Sequence, residues 1–223
     1  KRELTALSDL SDETARAKKA LDAATAAATA AAAALTDTRR VAAERLVPLV
    51  SDELAFLDME KVRFLTDIRP AALSATGADA VEFLISTNPG EEPKPIAKIA
   101  SGGELARIML ALKSVFADSF GVQTVIYDEI DAGVSGKTAR KIGIKLKTSA
   151  RGTQTICVTH SAQIASLADR QLLIEKRVID GRTETQVSEI TGDDRVREIA
   201  RILGGVTVSE TMRSSARELI DEG

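Results

Sequence analysis

Across residues 2–49 apolar and small side chains recur three and four positions apart, through Leu7, Leu10, Thr14, Ala17, Leu21, Ala24, Ala28, Ala31, Leu35, Thr38 and Ala42. This spacing predicts one continuous helix of about 45 residues with a heptad seam of Leu and Ala. At the rise of an α-helix it extends roughly 65 Å, too far for a domain of this size to cover, so the seam calls for a partner helix. Residues 23–34 are Ala-rich, which favours helix and lets two backbones come close. The other reading is a long helix of an ordinary bundle, but no second helix of similar length follows. Pro48, then Pro70 and Gly77, are expected to break the pattern and to mark where arm becomes head.

Beyond that point the period changes. Residues 61–68 and 80–86 partly alternate polar with apolar and read as two strands around a turn. Residues 88–95 carry three prolines and two glutamates and read as a surface loop. A helix over residues 104–118 presents Leu105, Ile108, Met109, Leu112 and Phe116 on one face. Then come a strand at 123–127, a helix from Gly136 to Ser149, a strand at 154–159 and a short helix at 161–167. Residues 171–179 and 183–190 form a hairpin around Asp180-Gly181-Arg182. Two helices close the chain, 193–203 with Asp193 or Asp194 as cap and Gly204-Gly205 as stop, and 209–220. Strands alternating with helices predict an α/β fold with a largely parallel centre and an antiparallel flank.

Composition adds limits. The 223 residues are 44% hydrophobic, enough for one core or two structural units. Thirty Lys and Arg against 33 Asp and Glu leave a net charge of -3, so no global charge announces a nucleic-acid binder. The single cysteine, Cys157, sits inside an apolar strand and reads as a core residue. One cysteine excludes an intrachain disulfide framework and fits a reducing cytoplasm. No apolar run reaches the ~18 residues of a membrane span and no signal-peptide pattern opens the chain, so a soluble protein without a membrane partner is expected. Opening mid-helix without methionine, the sequence reads as a piece of a longer polypeptide.

Three short stretches carry candidate chemistry. In Ala100-Ser101-Gly102-Gly103-Glu104-Leu105, paired glycines precede a helix whose positive dipole end can face an anion, a phosphate cradle. Thr124-Val125-Ile126-Tyr127-Asp128-Glu129 is an apolar strand ending in two carboxylates, where an open parallel sheet delivers its chemistry. Ile156-Cys157-Val158-Thr159-His160 repeats the plan and ends in the only histidine of the chain. Taken singly, each has a bland reading: a tight turn, a solvated acid pair, and a core or surface histidine.

Together, in this order, they resemble the C-terminal half of an ABC-type ATPase head: signature motif, Walker B strand with catalytic glutamate, and switch histidine. The stretches IASGGELAR from Ile99, DEIDAGVSG from Asp128 and CVTHSAQIAS from Cys157 resemble the RecN family of bacterial double-strand-break repair ATPases, relatives of the structural maintenance of chromosomes (SMC) proteins. Ala106 stands where such sequences frequently have serine. The resemblance covers nearly all of the chain from about Lys61 on. It implies a returning coiled-coil helix and neck over residues 1–58 and the C-terminal lobe of an SMC-type head over 59–223.

It further implies that Ser101, Gly102, Gly103 and Glu104 contact ATP held by an opposite head, that Asp128 holds Mg²⁺, that Glu129 activates water, that His160 senses the γ-phosphate and that Asp131 helps couple two heads at the nucleotide. Implied partners are an N-terminal lobe carrying Walker A, a second copy of the head in a homodimer, DNA near breaks, and RecA. The implied location is the cytoplasm, at the nucleoid.

Gly136-Lys137-Thr138 imitates the end of a Walker A loop, but the pattern needs glycine where Asp131 stands, so it is rejected and the chain lacks the main nucleotide cradle. Lys137, Arg140, Lys141 and Lys145 share one helical face, a solvated surface or a DNA- or partner-facing patch. Two other function classes stay open, a coiled-coil interaction module without catalysis and another ABC-type head such as a transporter's, the latter disfavoured by the long arm.

Overall fold

The computed structural model describes residues 2–99, 101–116, 121–179, 182–205 and 207–223, with side chains from residue 11 on and residue 179 excepted. Helix α1 runs unbroken from Arg2 to Phe56, 55 residues with Pro48 inside it. The expected break at Pro48 is therefore corrected. Proline removes one donor to the Glu44 carbonyl, and both positions face water, which solvates the freed oxygen. The turns that follow are pinned by Val50, Leu54 and Leu57, all fully buried. Their burial outweighs the roughly 3 kcal/mol that an interior proline costs.

Pro70 is not a break either, whereas Gly77 does lie at a turn. Strand β1 (Arg63–Ser74) pairs antiparallel with β2 (Gly77–Ser86), from Arg63 opposite Ser86 to Pro70 opposite Asp79, with a register shift between Pro70 and Ser74. β1 is the edge of a sheet ordered β1-β2-β3, where β3 is the short Lys94–Pro95, and an edge strand tolerates proline. Gly77 sits at the turn with φ of +102°, and a Cβ there would lie 3.0 Å from Leu35 and Arg39 side-chain atoms. The hairpin thus lies along α1. Thr36 Oγ1 donates to Asp79 at 2.8 Å, and Arg39 reaches Asp79 at 3.1 Å and the Thr76 carbonyl at 2.8 Å. Leu21 and Leu35, on the predicted seam, stay exposed, while Leu7 and Leu10 have side chains outside the described set.

One core joins the end of α1 to the base of the hairpin (Phe64, Ile85), to α2 (Gly102–Val115) through Ile108, Leu110 and Ala111, and to α3 (Gly136–Ser149) through Ile142. The predicted stripe on α2 is partly corrected: Met109 is exposed and Arg107 is buried in its place. The expected end of α2 at residue 118 lies outside the described residues.

Strands β4 (Thr124–Asp128) and β5 (Gln154–Val158) run parallel, in register from Thr124 opposite Gln154 to Asp128 opposite Val158. Tyr127 is buried, but Ile126, Ile156 and Val158 are 66%, 42% and 49% exposed, so one face of the pair is open and apolar.

The fold closes with α4 (Ala162–Ala165), hairpin β6–β7 (Gln171–Ile179, Arg182–Ile190), α5 (Gly192–Gly204) and α6 (Glu210–Asp221). The hairpin's expected turn at Asp180 and Gly181 lies outside the described residues. Thr191, not Asp193 or Asp194, is the N-cap of α5, and the two aspartates occupy its first turn, where the helix dipole favours them. A second core of Ala162, Ile199, Ala200 and Ala216 ties α4, α5 and α6 together. The architecture is α/β: a parallel pair flanked by helices, antiparallel hairpins and a long N-terminal helix. Among the described residues no helix is long and apolar enough to cross a membrane.

Candidate functional site

Ser101 is the N-cap of α2, its hydroxyl accepting the Glu104 N–H at 3.4 Å. Gly102 and Gly103 are the first residues of the helix, neither at positive φ, and Ala100 lies outside the described residues. Gly103 carries a packing requirement of its own: a Cβ would stand 2.9 Å from Ala132 Cβ and 3.1 Å from the Glu129 and Ala132 carbonyl oxygens. At Gly102 the nearest atom is Glu129 Oε2 at 3.6 Å, an ordinary contact. The start of α2, with its outward N–H groups and half-buried Glu104, is thereby seated on the loop that follows β4.

That loop begins with Asp128 and Glu129, both exposed at the carboxyl end of β4. Glu129 holds φ of +55°, a conformation uncommon for a residue with a Cβ, which costs about 1–3 kcal/mol and persists only where its surroundings enforce it. The Ala132 N–H donates to the Glu129 carbonyl at 2.9 Å and the Val134 N–H to the Asp131 carbonyl at 3.2 Å. From α2, Arg107 Nη1 donates to the carbonyls of Ile130 at 3.2 Å and Ala132 at 3.0 Å. Burial pulls the Arg107 guanidinium below the ordinary arginine value, with Glu104 opposing. Arg107 was missed as a site residue. Its spacing of four from both Gly103 and Ala111, on the buried stripe, was the available signal.

His160 lies two residues past β5, on the same edge as Asp128. Its ring is 86% exposed, and Nδ1 is 3.5 Å from Asp131 Oδ2. That oxygen also accepts the Thr159 hydroxyl at 2.6 Å and the His160 N–H at 3.1 Å. Asp131, which the resemblance implies helps couple two heads at the nucleotide, has a side chain only 1% exposed in this chain, held beneath both loops. The register therefore brings together Asp128, Glu129, His160 and the start of α2, and withdraws Asp131 from the surface.

Among the described residues no group of three or more His, Cys, Asp or Glu could hold a metal. Mg²⁺ commonly takes one or two carboxylates and completes its shell with water and phosphate. An exposed Asp128 fits that use and not a cage made of protein alone.

The decoy Thr138 turns away from this edge, its hydroxyl donating to Asp58 Oδ2 at 2.5 Å. Most of the basic face of α3 is engaged by the chain itself. Lys141 pairs with Asp58 at 2.5 Å, Lys145 with Glu53 at 2.6 Å, and Arg140 donates to the Leu219 carbonyl at 3.4 Å. The Lys145 and Lys141 ammoniums also stand 4.9 and 5.8 Å from the centre of the Phe56 ring. Behind the sheet, burial lifts the Cys157 thiol to about 12, helped by Asp131 and Asp128, and lifts the Tyr127 hydroxyl to about 12.

No protein-family model matches the chain. Among curated proteins it is 38% identical over 224 residues to the DNA repair protein RecN of Halalkalibacterium halodurans, covering 98% of this chain and 40% of that one. To RecN of Streptomyces coelicolor it is 45% identical over 201 residues, 84% of this chain and 35% of that one. The chain thus spans about two fifths of the length of these relatives. Among solved structures, the Smc head domain with a coiled coil and joint from Pyrococcus yayanosii superposes with a TM-score of 0.52 at 20% identity, over 73% of this chain and 29% of that one. This likeness is one of fold, an SMC-type head with a long helix. The chain corresponds to the C-terminal portion of RecN, the family that its sequence resembles over nearly its whole length.

Proposed function

We propose that this chain is the C-terminal lobe of an SMC-like DNA repair ATPase, with residues 1–58 as the returning coiled-coil helix and neck and 59–223 as the lobe. The observation that carries the reading is the parallel register of β4 and β5, with Asp128-Glu129 and Thr159-His160 ending on one edge beside the start of α2. In this reading ATP is gripped by a Walker A lobe outside this chain. The open apolar face of Ile126, Ile156 and Val158 suits such a lobe, since apolar area of this kind is favourable to cover.

Each residue then has a task that its position permits. Asp128, exposed at the strand end, binds Mg²⁺, which when present neutralises charge on the phosphates. Glu129 orients the attacking water and takes its proton. His160 presents its exposed ring to the γ-phosphate. Ser101, Gly102, Gly103 and Glu104 offer a helix N-terminus to the nucleotide of a second head in a homodimer, acting in trans. Closure and release of the paired heads would move the arms that handle DNA near breaks, in the cytoplasm at the nucleoid, with RecA as a further partner.

The test compares the 223-residue chain with a full-length relative carrying the same residues. The chain alone is expected neither to bind ATP tightly nor to hydrolyse it, and Glu129→Gln is expected to abolish turnover in the full-length protein while leaving ATP binding. Turnover by the chain alone that Glu129→Gln removes overturns the composite reading. Unchanged turnover in the full-length Glu129→Gln protein favours a non-catalytic interaction module.

A further inference from the structure

We infer that Asp131 is a positioning residue: with Thr159 it fixes the place and the tautomer of His160 and joins that histidine to the loop carrying Glu129. The inference rests on reading His160 and Glu129 as facing a nucleotide. Asp131 Oδ2 gathers the Thr159 hydroxyl at 2.6 Å, the His160 amide at 3.1 Å and, at 3.5 Å, the ring Nδ1. The direction of the Thr159 hydroxyl is set, because its oxygen accepts the Ser161 N–H at 3.0 Å and its proton is left for the carboxylate. Asp131 itself is held in place. Arg107 grips the carbonyls of Ile130 and Ala132 on either side of it, which fixes its backbone, and its side chain can leave the His160 loop only by giving up the Thr159 and His160 hydrogen bonds.

A carboxylate facing Nδ1 favours the tautomer with the proton on Nδ1, as the carboxylate partners of metal-bound histidines do. Free imidazole in water prefers the proton on Nε2, so the two states are distinguishable. With Nδ1 turned to Asp131, the Nε2 edge of the exposed ring is the one offered to a ligand. The same network makes three pieces one unit: α2 through Arg107, the Glu129 loop through its carbonyls, and the His160 loop through Asp131. Motion of α2 against a second head would then reach Glu129 and His160 within the same chain.

The experiment uses the 223-residue chain, whose single histidine makes ring signals unambiguous. The ¹⁵N shifts of histidine-labelled protein are recorded in alkaline buffer, where imidazoles are neutral. The wild-type ring is expected mainly as the Nδ1–H tautomer. Asp131→Asn, which keeps the shape and loses the charge, should shift the ratio toward Nε2–H by at least about threefold, since a charged acceptor is roughly twice as strong as a neutral one. Asp131→Ala should shift it fully and speed exchange of the His160 amide at least about tenfold. Thr159→Val should speed that exchange and Thr159→Ser should restore it.

A wild-type ring mainly in the Nε2–H form, or a ratio that Asp131→Asn leaves unchanged, overturns the inference. Should Asp131→Ala fail to fold, Asp131→Asn decides. These readouts use no nucleotide, so a chain with the predicted tautomer but no ATP role in its full-length form would sink the functional reading alone.

Discussion

The two adjacent glycines at the start of α2 should respond oppositely to alanine. At Gly103 a Cβ would press to 2.9 Å from Ala132 Cβ and 3.1 Å from the backbone oxygens of Glu129 and Ala132. Backbone atoms in a loop already held by Arg107 cannot give way as a flexible side-chain end does, and overpacking of this kind costs about 1–3 kcal/mol. Helix propensity returns at most about 1 kcal/mol. Gly103→Ala should therefore lose on the order of 1–2 kcal/mol. At Gly102 the nearest atom, Glu129 Oε2, is at 3.6 Å, so Gly102→Ala meets no clash and should be neutral or gain up to about 1 kcal/mol. For a chain of this size each kcal/mol moves the thermal midpoint by about 2–4 °C. The assay is thermal and urea unfolding of the two variants beside wild type, followed by circular dichroism. Equal midpoints for Gly102→Ala and Gly103→Ala would refute the close seating of α2 on the Glu129 loop, and with it the explanation of why glycine stands there.

Further expectations rest on other contacts. Pro48→Ala restores one hydrogen bond on an exposed stretch of α1 and should raise the urea midpoint, by up to about 3 kcal/mol of stability; a lower midpoint would show that the helix needs the proline. Lys145→Met keeps the stem over Phe56 but leaves Glu53, only 25% exposed, without the ammonium 2.6 Å away, and should cost about 1–3 kcal/mol. Adding Glu53→Gln should recover part of that loss in a double-mutant cycle. Cys157, held neutral by burial up to about 12, should react slowly with iodoacetamide in the native chain and fast in urea. Its sign with pH follows: the unfolded thiol ionises from about 9 and the folded one does not, so stability falls as pH rises from about 9 toward 12, and Cys157→Ala should flatten that fall.

The placement of the candidate site was legible in the sequence because its parts sit at strand ends and a helix start, places that pattern and turn chemistry mark. Asp128 and His160 could be put on one edge from two apolar runs alone, once those runs were taken as parallel neighbours. Burial was not legible. The runs at 124–128 and 154–158 look the same whether both faces are covered or one, and periodicity does not separate those cases. The burial of Asp131 was hidden, because acids are usually exposed and only the closing of two loops over it takes its side chain away from water. Arg107 was hidden for the same reason: a guanidinium on an apolar stripe makes sense only when carbonyls wait for it. Pro48 misled because the contest was between one lost hydrogen bond and the burial of Val50, Leu54 and Leu57 just after it, a comparison that no local rule contains.

The exposed and buried groups divide the work in a way that bears on what completes the site. Along β4, Thr124, Ile126 and Asp128 share one face, and across the register Ile156 and Val158 extend it. Any body that covers those apolar side chains must arrive beside the Asp128 carboxylate, since strand neighbours two apart stand on the same side. Glu129 then steps off that face, because its left-handed φ turns the chain before the next residue. The two acids are thus addressed to different places, one to whatever docks on the sheet and one toward the start of α2. A single change tests this division in the proposed composite: Ile126→Asp, on the open face and outside both cores, should leave the fold of this chain intact while weakening its association with a separately expressed N-terminal lobe at least about tenfold, as a desolvated charge costs several kcal/mol. Undiminished association would mean that the sheet's open face is not where the two lobes meet.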